Sequence, residues 1–375
     1  MVMIVKRNLP LTLNHIYQGN CIEILSSLPE KSVDLIFADP PYNLQLQGDL
    51  LRPNARKVDG VNDEWDQFAD FSAYDAFTRQ WLAACQRVLK DTGTLWVIGS
   101  YHNIYRVGSI LQDLGFWILN DVVWKKTNAL PHFRGVRFNN SHETLLWCKK
   151  SKEQKKYTFH YHSMKFMNDE KQMQSVWEIP ICTGSERLRV DGKKVHPTQK
   201  PEALLYRIII SSTDPGDVIL DPFFGSGTTG AVAKKLGRSF VGIEENEEYI
   251  SASRKRIEEI RATSLDDQAL GSFPNKRNEP RIPFATLLEQ GLLIPGQSLF
   301  LDRDKEKQAM VLANGYLRTA DGTIGSIHKI GSLLSQTAEC NGWLRWFYEQ
   351  GELLLPIDIL REQFRQRIKQ EEIIP

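Results

Sequence analysis

Ala38-Asp39-Pro40-Pro41-Tyr42-Asn43 follows directly on the apolar run Val33-Asp34-Leu35-Ile36-Phe37. A buried strand ending in an acid, two prolines and a ring sets a carboxylate, a stiff backbone carbonyl and an aromatic face at the carboxyl edge of a sheet, where open α/β sheets bind their ligands. Each proline fixes its own φ and biases the preceding residue away from helix, and neither Pro40 nor Pro41 has an amide hydrogen. The turn is therefore rich in acceptors. A planar base with an exocyclic amino group suits it better than a phosphate or an acyl group, with Asp39, Pro40, Pro41 and Tyr42 as catalytic candidates. The plain alternative is a tight proline turn beside a satisfied aspartate.

A second stretch carries different chemistry. Asp217 to Leu220 reads as a strand, Asp221-Pro222-Phe223-Phe224-Gly225-Ser226-Gly227-Thr228-Thr229-Gly230 as a glycine-rich turn, Ala231 to Leu236 as a helix, and Ser239 to Ile243 as a strand ending in Glu244. A βαβ unit with glycines in its first turn and an acid about 20 residues on is the arrangement that seats a nucleoside ribose. The glycines let backbone approach the ligand, and Glu244 can take two ribose hydroxyls. The glycine spacing of a dinucleotide fingerprint is only loosely met, which weighs against a nicotinamide cofactor. A nucleoside-bearing cofactor and an amino-base pocket at neighbouring strand ends imply transfer from one to the other.

The elements that must position these groups read as an α/β fold. A strand near Ile16 and Tyr17 leads through Gly19-Asn20-Cys21 to a helix from Ile22 to Leu28. Leu44 to Phe68 loses periodicity, and a loop of that length beside the active turn is expected to be a lid or a DNA-gripping loop, with Arg52, Arg56 and Lys57 as its cations. A helix from Ala73 to Leu89 is ended by Gly93. The strand Thr94 to Ile98 and the helix Tyr101 to Leu114 follow, then strands Phe116 to Trp124 and Glu143 to Cys148. Helices between successive strands, then two strands without one, predict a Rossmann-like, mostly parallel sheet with an antiparallel edge strand. Residues 151–195 are irregular. His160 and His162 would share a strand face, but no acids or cysteines complete a metal site. His196-Pro197-Thr198-Gln199-Lys200-Pro201 opens a helix running to about Ser211, and Glu247 to Ala262 closes the sheet. The division is a domain over 1–262, a linker over 263–280, and a small α+β domain over 281–375, with hairpin signals at Asn314-Gly315 and Asp321-Gly322. That second domain suits DNA reading, with a protein interface as the alternative.

Composition sets the outer bounds. A chain of 375 residues, 41% hydrophobic, can bury a sizeable core. Five scattered cysteines show no metal spacing, so reduced thiols and no metal are expected. Neither a signal peptide nor a run long enough to cross a membrane is visible, which suggests an intracellular protein. The net charge is +1, yet from Lys125 to Lys165 ten lysines and arginines face only Glu143 and Glu153. Interleaved with Phe133, Phe138 and Trp147, that stretch suits a polyanion, although a solvated loop has the same composition.

With both motifs in view, the chain resembles the amino-methyltransferases that use S-adenosylmethionine, Asp-Pro-Pro-Tyr and Phe-Gly-Ser-Gly-Thr being their two signatures. The catalytic motif precedes the cofactor motif, similar to the β class of DNA adenine methylases. The resemblance extends through Trp124-Lys125, His142-Glu143-Thr144, His196 to Pro201, Ser326-Ile327-His328-Lys329 and Asn341-Gly342-Trp343. In that breadth it is similar to the cell-cycle-regulated adenine methylase of alphaproteobacteria, whose close relatives act at GANTC.

The resemblance implies methylation of adenine N6 on a flipped base of double-stranded DNA, a homodimer, and a cytoplasmic, nucleoid-associated enzyme. Asp39 and the Pro40 carbonyl would accept from the amino group and Tyr42 would stack on the base. Asp221 would face the methionine ammonium of the cofactor, Pro222, Phe223, Gly225, Ser226, Gly227 and Thr228 would line its pocket, Glu244 would hold the ribose, and Thr198 and Lys200 would add contacts. The expected DNA contacts are Asn43, Arg52, Arg56, Lys57, Lys125, Arg134, Arg137, Ser326, His328, Lys329, Asn341 and Trp343. One departure stands out: the family commonly has Gly-Asp where this chain has Gly19-Asn20, near the cofactor's adenine, which keeps an acceptor but loses a charge. The rival readings are an N4-cytosine methylase, since that amine poses the same problem, and a DNA-binding regulator that has kept the fold without turnover.

Overall fold

The computed structural model describes residues 9–44, 50–51, 57–58, 66–129, 131, 136–169, 171–260, 282–351 and 353–371. Arg52, Arg56, Arg134 and the expected linker lie outside the described residues, and Lys57 is described only as backbone. Contacts divide the chain into two units, 1–275 and 276–375.

The strands of the first unit are β1 (His15–Gln18), β2 (Val33–Ala38), the short pair β3 (Leu50–Leu51) and β4 (Lys57–Val58), β5 (Leu89–Gly99), β6 (Trp117–Lys126), β7 (His142–Lys149), β8 (Val176–Ile179), a second short pair β9 (Arg189–Val190) and β10 (Lys193–Lys194), β11 (Val218–Asp221) and β12 (Ser239–Glu244). Its helices are α1 (Cys21–Ser27), α2 (Phe71–Val88), α3 (Ile104–Asp113), α4 (Tyr161–Phe166), α5 (Glu202–Ser212), α6 (Thr228–Lys235) and α7 (Glu247–Glu259). Eight strands form one sheet in the order β1-β12-β11-β2-β5-β7-β6-β8.

Alternation along β2 explains the two layers. Leu35 and Phe37 join Trp96, Ile98 and the apolar residues of α5 and α6 on one face. Ile36 and Ala38 join Leu95, Val97 and the buried stripes of α1, α2 and α3 on the other. The sheet is parallel except for β7, as its composition predicts, but β7 is not at the edge. It runs antiparallel between β5 and β6, and β8 lies outermost, parallel to β6. The reason is burial: Leu145, Leu146, Trp147 and Cys148 are all buried and need cover on both faces, whereas β6 carries exposed Asn120 and Asp121. Trp147 stacks on Trp96 at 5.3 Å. Because β7 is reversed, its first residues reach the same sheet edge where β2, β11 and β12 end.

Two local expectations change. Gly93 does not end α2, which stops at Val88; it lies within β5, where a Cβ would stand 3.0 Å from the Asp34 carbonyl. His160 and His162 belong to the start of α4 rather than to a strand, and His160 Nε2 sits 3.1 Å from the Thr213 carbonyl.

The second unit is α+β. Strands β13 (Ser298–Leu301), β14 (Asp304–Val311), β15 (Leu317–Arg318), β16 (Ile324–Gly325), β17 (Trp346–Gln350) and β18 (Leu353–Pro356) form an antiparallel sheet in the order β16-β15-β14-β13-β17-β18. Helices α8 (Phe284–Glu289), α9 (Ile327–Ser335), α10 (Gly342–Arg345) and α11 (Asp358–Glu371) accompany it. Both Asn-Gly and Asp-Gly signals fall between paired strands, with Gly315 and Gly322 at positive φ. Leu299, Val311, Ile330 and Trp346 belong to its core.

One close approach is testable. Gly242 in β12 passes the Phe224 ring so closely that a Cβ would lie 2.5 Å from it. Gly242→Ala is expected to cost about 1–3 kcal/mol by overpacking, read as a lower urea midpoint than wild type.

Candidate active site

The Asp-Pro-Pro-Tyr turn is held by a carboxylate that lies well beyond it in sequence. Asp66 accepts the backbone N–H groups of Tyr42 at 2.6 Å, Asn43 at 2.8 Å and Leu44 at 2.9 Å. Three consecutive donors on one side chain curl the backbone, and Asn43 takes the left-handed φ of +54° that asparagine tolerates. The Tyr74 hydroxyl donates to the Pro41 carbonyl at 2.9 Å and accepts from Asn103 Nδ2 at 3.2 Å. Among the described residues no donor reaches the Pro40 carbonyl. Burial raises the Asp66 carboxyl, against the pull of its three N–H donors.

Beside the turn lies a buried charge network. Lys200, 7% exposed, donates to Asp39 Oδ2 at 2.7 Å and stands 3.9 Å from Glu143 Oε2. Lys126 donates to Glu143 Oε1 at 2.6 Å. The Tyr42 hydroxyl lies 3.0 Å from Asp39 Oδ1 and 3.0 Å from Glu143 Oε2, and the Lys200 ammonium sits 5.2 Å from the Tyr42 ring centre. Two carboxylates and two ammonium groups balance. Burial raises Asp39 above the ordinary carboxylate range despite Lys200. Glu143 is buried too, but Lys200 and then Lys126 outweigh desolvation and hold it below its usual value. Desolvation would lower Lys200, yet Asp39 and Glu143 keep it raised and charged. Tyr42, buried against two acids, stays a neutral phenol.

The glycine loop is built from β11, α6 and β12. Gly227, at φ +71°, precedes the first turn of α6, and Gly225, at φ +50°, brings the backbone against the His196 ring. Glu244 Oε2 accepts from Gly225 N at 2.8 Å, and Oε1 accepts from Glu245 N and Asn246 N at 3.0 and 2.9 Å. Those bonds aim the carboxylate and leave Oε2 able to accept once more. Asp221 turns to the loop itself, accepting from Phe223 N at 2.9 Å and Thr229 Oγ1 at 2.6 Å, and burial pushes it up to about 7. Arg256 on α7 donates to the Ser226 carbonyl and to Thr228 Oγ1. Thr228 in turn donates to the Lys200 carbonyl at 3.3 Å, linking the loop to the charge network.

A cavity of about 670 Å³ joins the two motifs. Asn20, Asp39, Pro40, Pro41, Tyr42, Thr198, Pro222, Phe223, Gly225 and Glu244 all line it. Lys200, Asp221, Ser226, Gly227 and Thr228 are not on its wall and support those that are. Asn20 caps α1, its Oδ1 accepting from Ile22 N at 3.0 Å, and its Nδ2 donates to Glu245 Oε1 at 3.1 Å.

The expected DNA contacts are spread more widely. Asn43 is buried, and among the described residues neither of its amide atoms has a partner. Lys125 points away from the site into an exposed pair with Glu178; strand alternation turns its neighbour Lys126 inward instead. Arg137 donates to the Tyr101 hydroxyl at 2.8 Å, just past the end of β5. In the second unit Ser326 caps α9 by accepting from Lys329 N, His328 Nδ1 accepts from Gly342 N at 3.0 Å, and Asn341 precedes α10. Trp343 is buried, with the Arg361 guanidinium 4.4 Å from its ring centre. Asp66, Lys126, Tyr74 and Arg256 were not singled out by sequence, and Glu143 was named in its strand, in the charge balance and in the resemblance but not as a site residue. The acid in β7 had a legible signal, being a carboxylate just ahead of the apolar run Leu145-Leu146-Trp147-Cys148.

Removing the shared cation tests the network. Lys200→Met leaves Asp39 buried without its counter-ion, at an expected cost of about 3–5 kcal/mol. Its carboxyl, already raised, rises further above its unfolded value, so the stability present at low pH is lost as pH climbs through the folded value. Urea unfolding at about pH 5 and about pH 8 should show the larger deficit at the higher pH.

A family model described as DNA methylase matches residues 33–255, and one described as Restriction Enzyme Adenine Methylase Associated matches residues 264–370. The Type II methyltransferase M.HinfI of Haemophilus influenzae is 48% identical over 360 residues, 96% of this chain and 99% of that protein. The Type II methyltransferase M2.DpnII of Streptococcus pneumoniae is 45% identical over 243 residues, 64% of this chain and 88% of its own. Among solved structures, the cytosine-N4-specific PvuII DNA methyltransferase matches with a TM-score of 0.51 at 22% identity, covering 71% of this chain and 92% of that one, a likeness of fold alone. By its matched domain and by full-length identity to M.HinfI, the chain belongs to the DNA methylase family.

Proposed function

We propose that the protein moves a methyl group from S-adenosylmethionine to N6 of adenine in double-stranded DNA, on a base turned out of the duplex, within GANTC. The observation that carries this reading is one cavity walled both by Asp39 with a Pro40 carbonyl that no described residue engages and by Glu244 with a remaining acceptor. Its volume suits a nucleoside-sized ligand. Asn20, Thr198, Pro222, Phe223, Gly225 and Glu244 would hold the cofactor, backed by Lys200, Asp221, Ser226, Gly227 and Thr228. S-adenosylmethionine supplies an activated methyl on a sulfonium when bound there.

The protein's own groups do the rest. Adenine N6 is a poor nucleophile because its lone pair is delocalised into the ring. Asp39 and the Pro40 carbonyl, both accepting from the amino group, draw the nitrogen toward tetrahedral geometry and free that pair. Tyr42 offers a stacking face that offsets part of the few kcal/mol of unstacking. Arg137, the second unit and Asn43, whose amide has no partner among the described residues, are the proposed DNA contacts. The GANTC assignment rests on the resemblance that runs from Trp124-Lys125 through His196 to Pro201 to the segments at Ser326 and Asn341, as does a homodimer working on DNA in the cytoplasm. The alternative is an N4-cytosine methylase, since that amine poses the same chemical problem, while the acid at position 39 favours adenine.

Methylating a radiolabelled duplex and analysing its nucleosides should give N6-methyladenine at GANTC, lost in Asp39→Ala. N4-methylcytosine would overturn the base assignment, and inert wild type on every adenine-containing duplex would establish the regulator reading. Deleting residues 281–375 is expected to lower DNA affinity and spare cofactor affinity; full site-specific methylation by the shortened chain would assign that unit another task.

A further inference from the structure

We infer that Glu143 is a positioning residue that, through the Tyr42 hydroxyl, lets Asp39 take up the proton leaving the substrate amine without any heavy atom moving. The inference rests on the amino-methylation reading. It starts from a count of hydrogens: Tyr42 Oη lies 3.0 Å from Asp39 Oδ1 and 3.0 Å from Glu143 Oε2, but a phenol has a single hydrogen to donate. With both acids ionised, one of the two contacts has no proton in it. When Asp39 is protonated both are filled, since Asp39 O–H donates to Tyr42 Oη and Tyr42 O–H donates to Glu143. The arrangement is therefore complete for the protonated acid and serviceable for the ionised one.

The flanking cations keep the roles distinct. Lys126 holds Glu143 Oε1 at 2.6 Å, fixing it as the anionic acceptor in both states, and Lys200 holds the other Asp39 oxygen at 2.7 Å. The directions agree: Asp39 is raised by burial, and Glu143 is held low by Lys200 and Lys126 against its own burial. When the C–N bond to the methyl carbon forms, the methyl carbon–sulfur bond breaks with its electron pair going to sulfur, and N6 carries one hydrogen too many. The N6–H bond then breaks with its electron pair left on nitrogen, and an O–H bond forms on Asp39. That O–H turns about its C–O bond toward Tyr42, and the Tyr42 hydrogen turns to Glu143. Preorganised dipoles that follow a moving charge in this way avoid reorganisation cost.

Two substitutions test the coupling between the acids. In Glu143→Gln the amide faces Tyr42 as a donor and commits the phenol hydrogen to Asp39, favouring the ionised acid. In Tyr42→Phe the ring stays, while the donor to ionised Asp39 and the acceptor for its O–H are lost together, so the hydroxyl no longer links Asp39 to Glu143. Infrared titration of the full-length protein without cofactor or DNA, with the Asp39 carboxyl band assigned by its absence in Asp39→Asn, should place its protonation at lower pH in Glu143→Gln by about one unit, and the same substitution made on Tyr42→Phe should shift it markedly less. Single-turnover methylation should fall about tenfold or more in Glu143→Gln, with cofactor and DNA affinity unchanged and the acid limb moving in the same sense as the infrared. Unchanged titration in Glu143→Gln, or an equal shift with phenylalanine at position 42, overturns the inference. Should Glu143→Gln fail to fold, Tyr42→Phe carries the test by itself: the C=O band of protonated Asp39 should move to higher wavenumber as its O–H loses the Tyr42 acceptor, and an unmoved band refutes the inference. Failure of the methylation reading would instead show as inactive wild type with the infrared shifts intact.

Discussion

Lys200 sits where the protein could least tolerate an unpaired charge, between two buried carboxylates at the edge of a sheet. Taking an ion out of water costs several kcal/mol unless a partner meets it in good geometry, so each acid needed for chemistry here has a dedicated companion. Asp39 has Lys200, Glu143 has Lys126, and Glu244 and Asp66 have backbone N–H groups. The scaffold reads as a means of delivering those companions. The start of α5 brings Lys200, and the Thr228 bond to its carbonyl ties that helix to the glycine loop. Reversal of β7 brings Glu143 to an edge where parallel strands only end. Removing any one of these supports would leave a charge stranded, which makes the site and the fold a single energetic unit.

Legibility from sequence followed how local the cause was. The ends of β2 and β12 were visible because an apolar run stopped at an acid, and the glycine turn because only small residues permit its backbone. The mostly parallel sheet followed from helices falling between successive strands. What escaped notice depended on distance in the chain. Asp66 lies in an aperiodic stretch and shows nothing until the turn folds onto it. Lys125 and Lys126 are indistinguishable by composition, and only the phase of β6 sends one to Glu178 and the other into the site. The place of β7 was misread for a related reason, since hydrophobic content says that a strand is buried without saying between which neighbours.

In the second unit the same limit appears from the other side. Ser326, His328, Asn341 and Trp343 were picked as polar and aromatic residues suited to DNA. The fold gives Ser326 and His328 backbone partners, and Trp343 a place packed against Arg361. Residue type marked the segments, while the contacts each side chain makes there are set by the α9 to α10 connection. Lys329, like His328, is exposed.

Asn20 looked in the sequence like a family acid that had lost its charge. Its Nδ2 bond to Glu245 changes that view. An aspartate at position 20 would set two carboxylates against each other across 3.1 Å, whereas asparagine turns the same contact into an attraction and still caps α1. The cavity wall thus carries its carboxylates, Glu244 and Glu245, at the exit of β12, beside an uncharged side chain at the exit of β1. Asn20 thereby serves two neighbours at once, donating to the acid of one strand end while its oxygen starts the helix of the other.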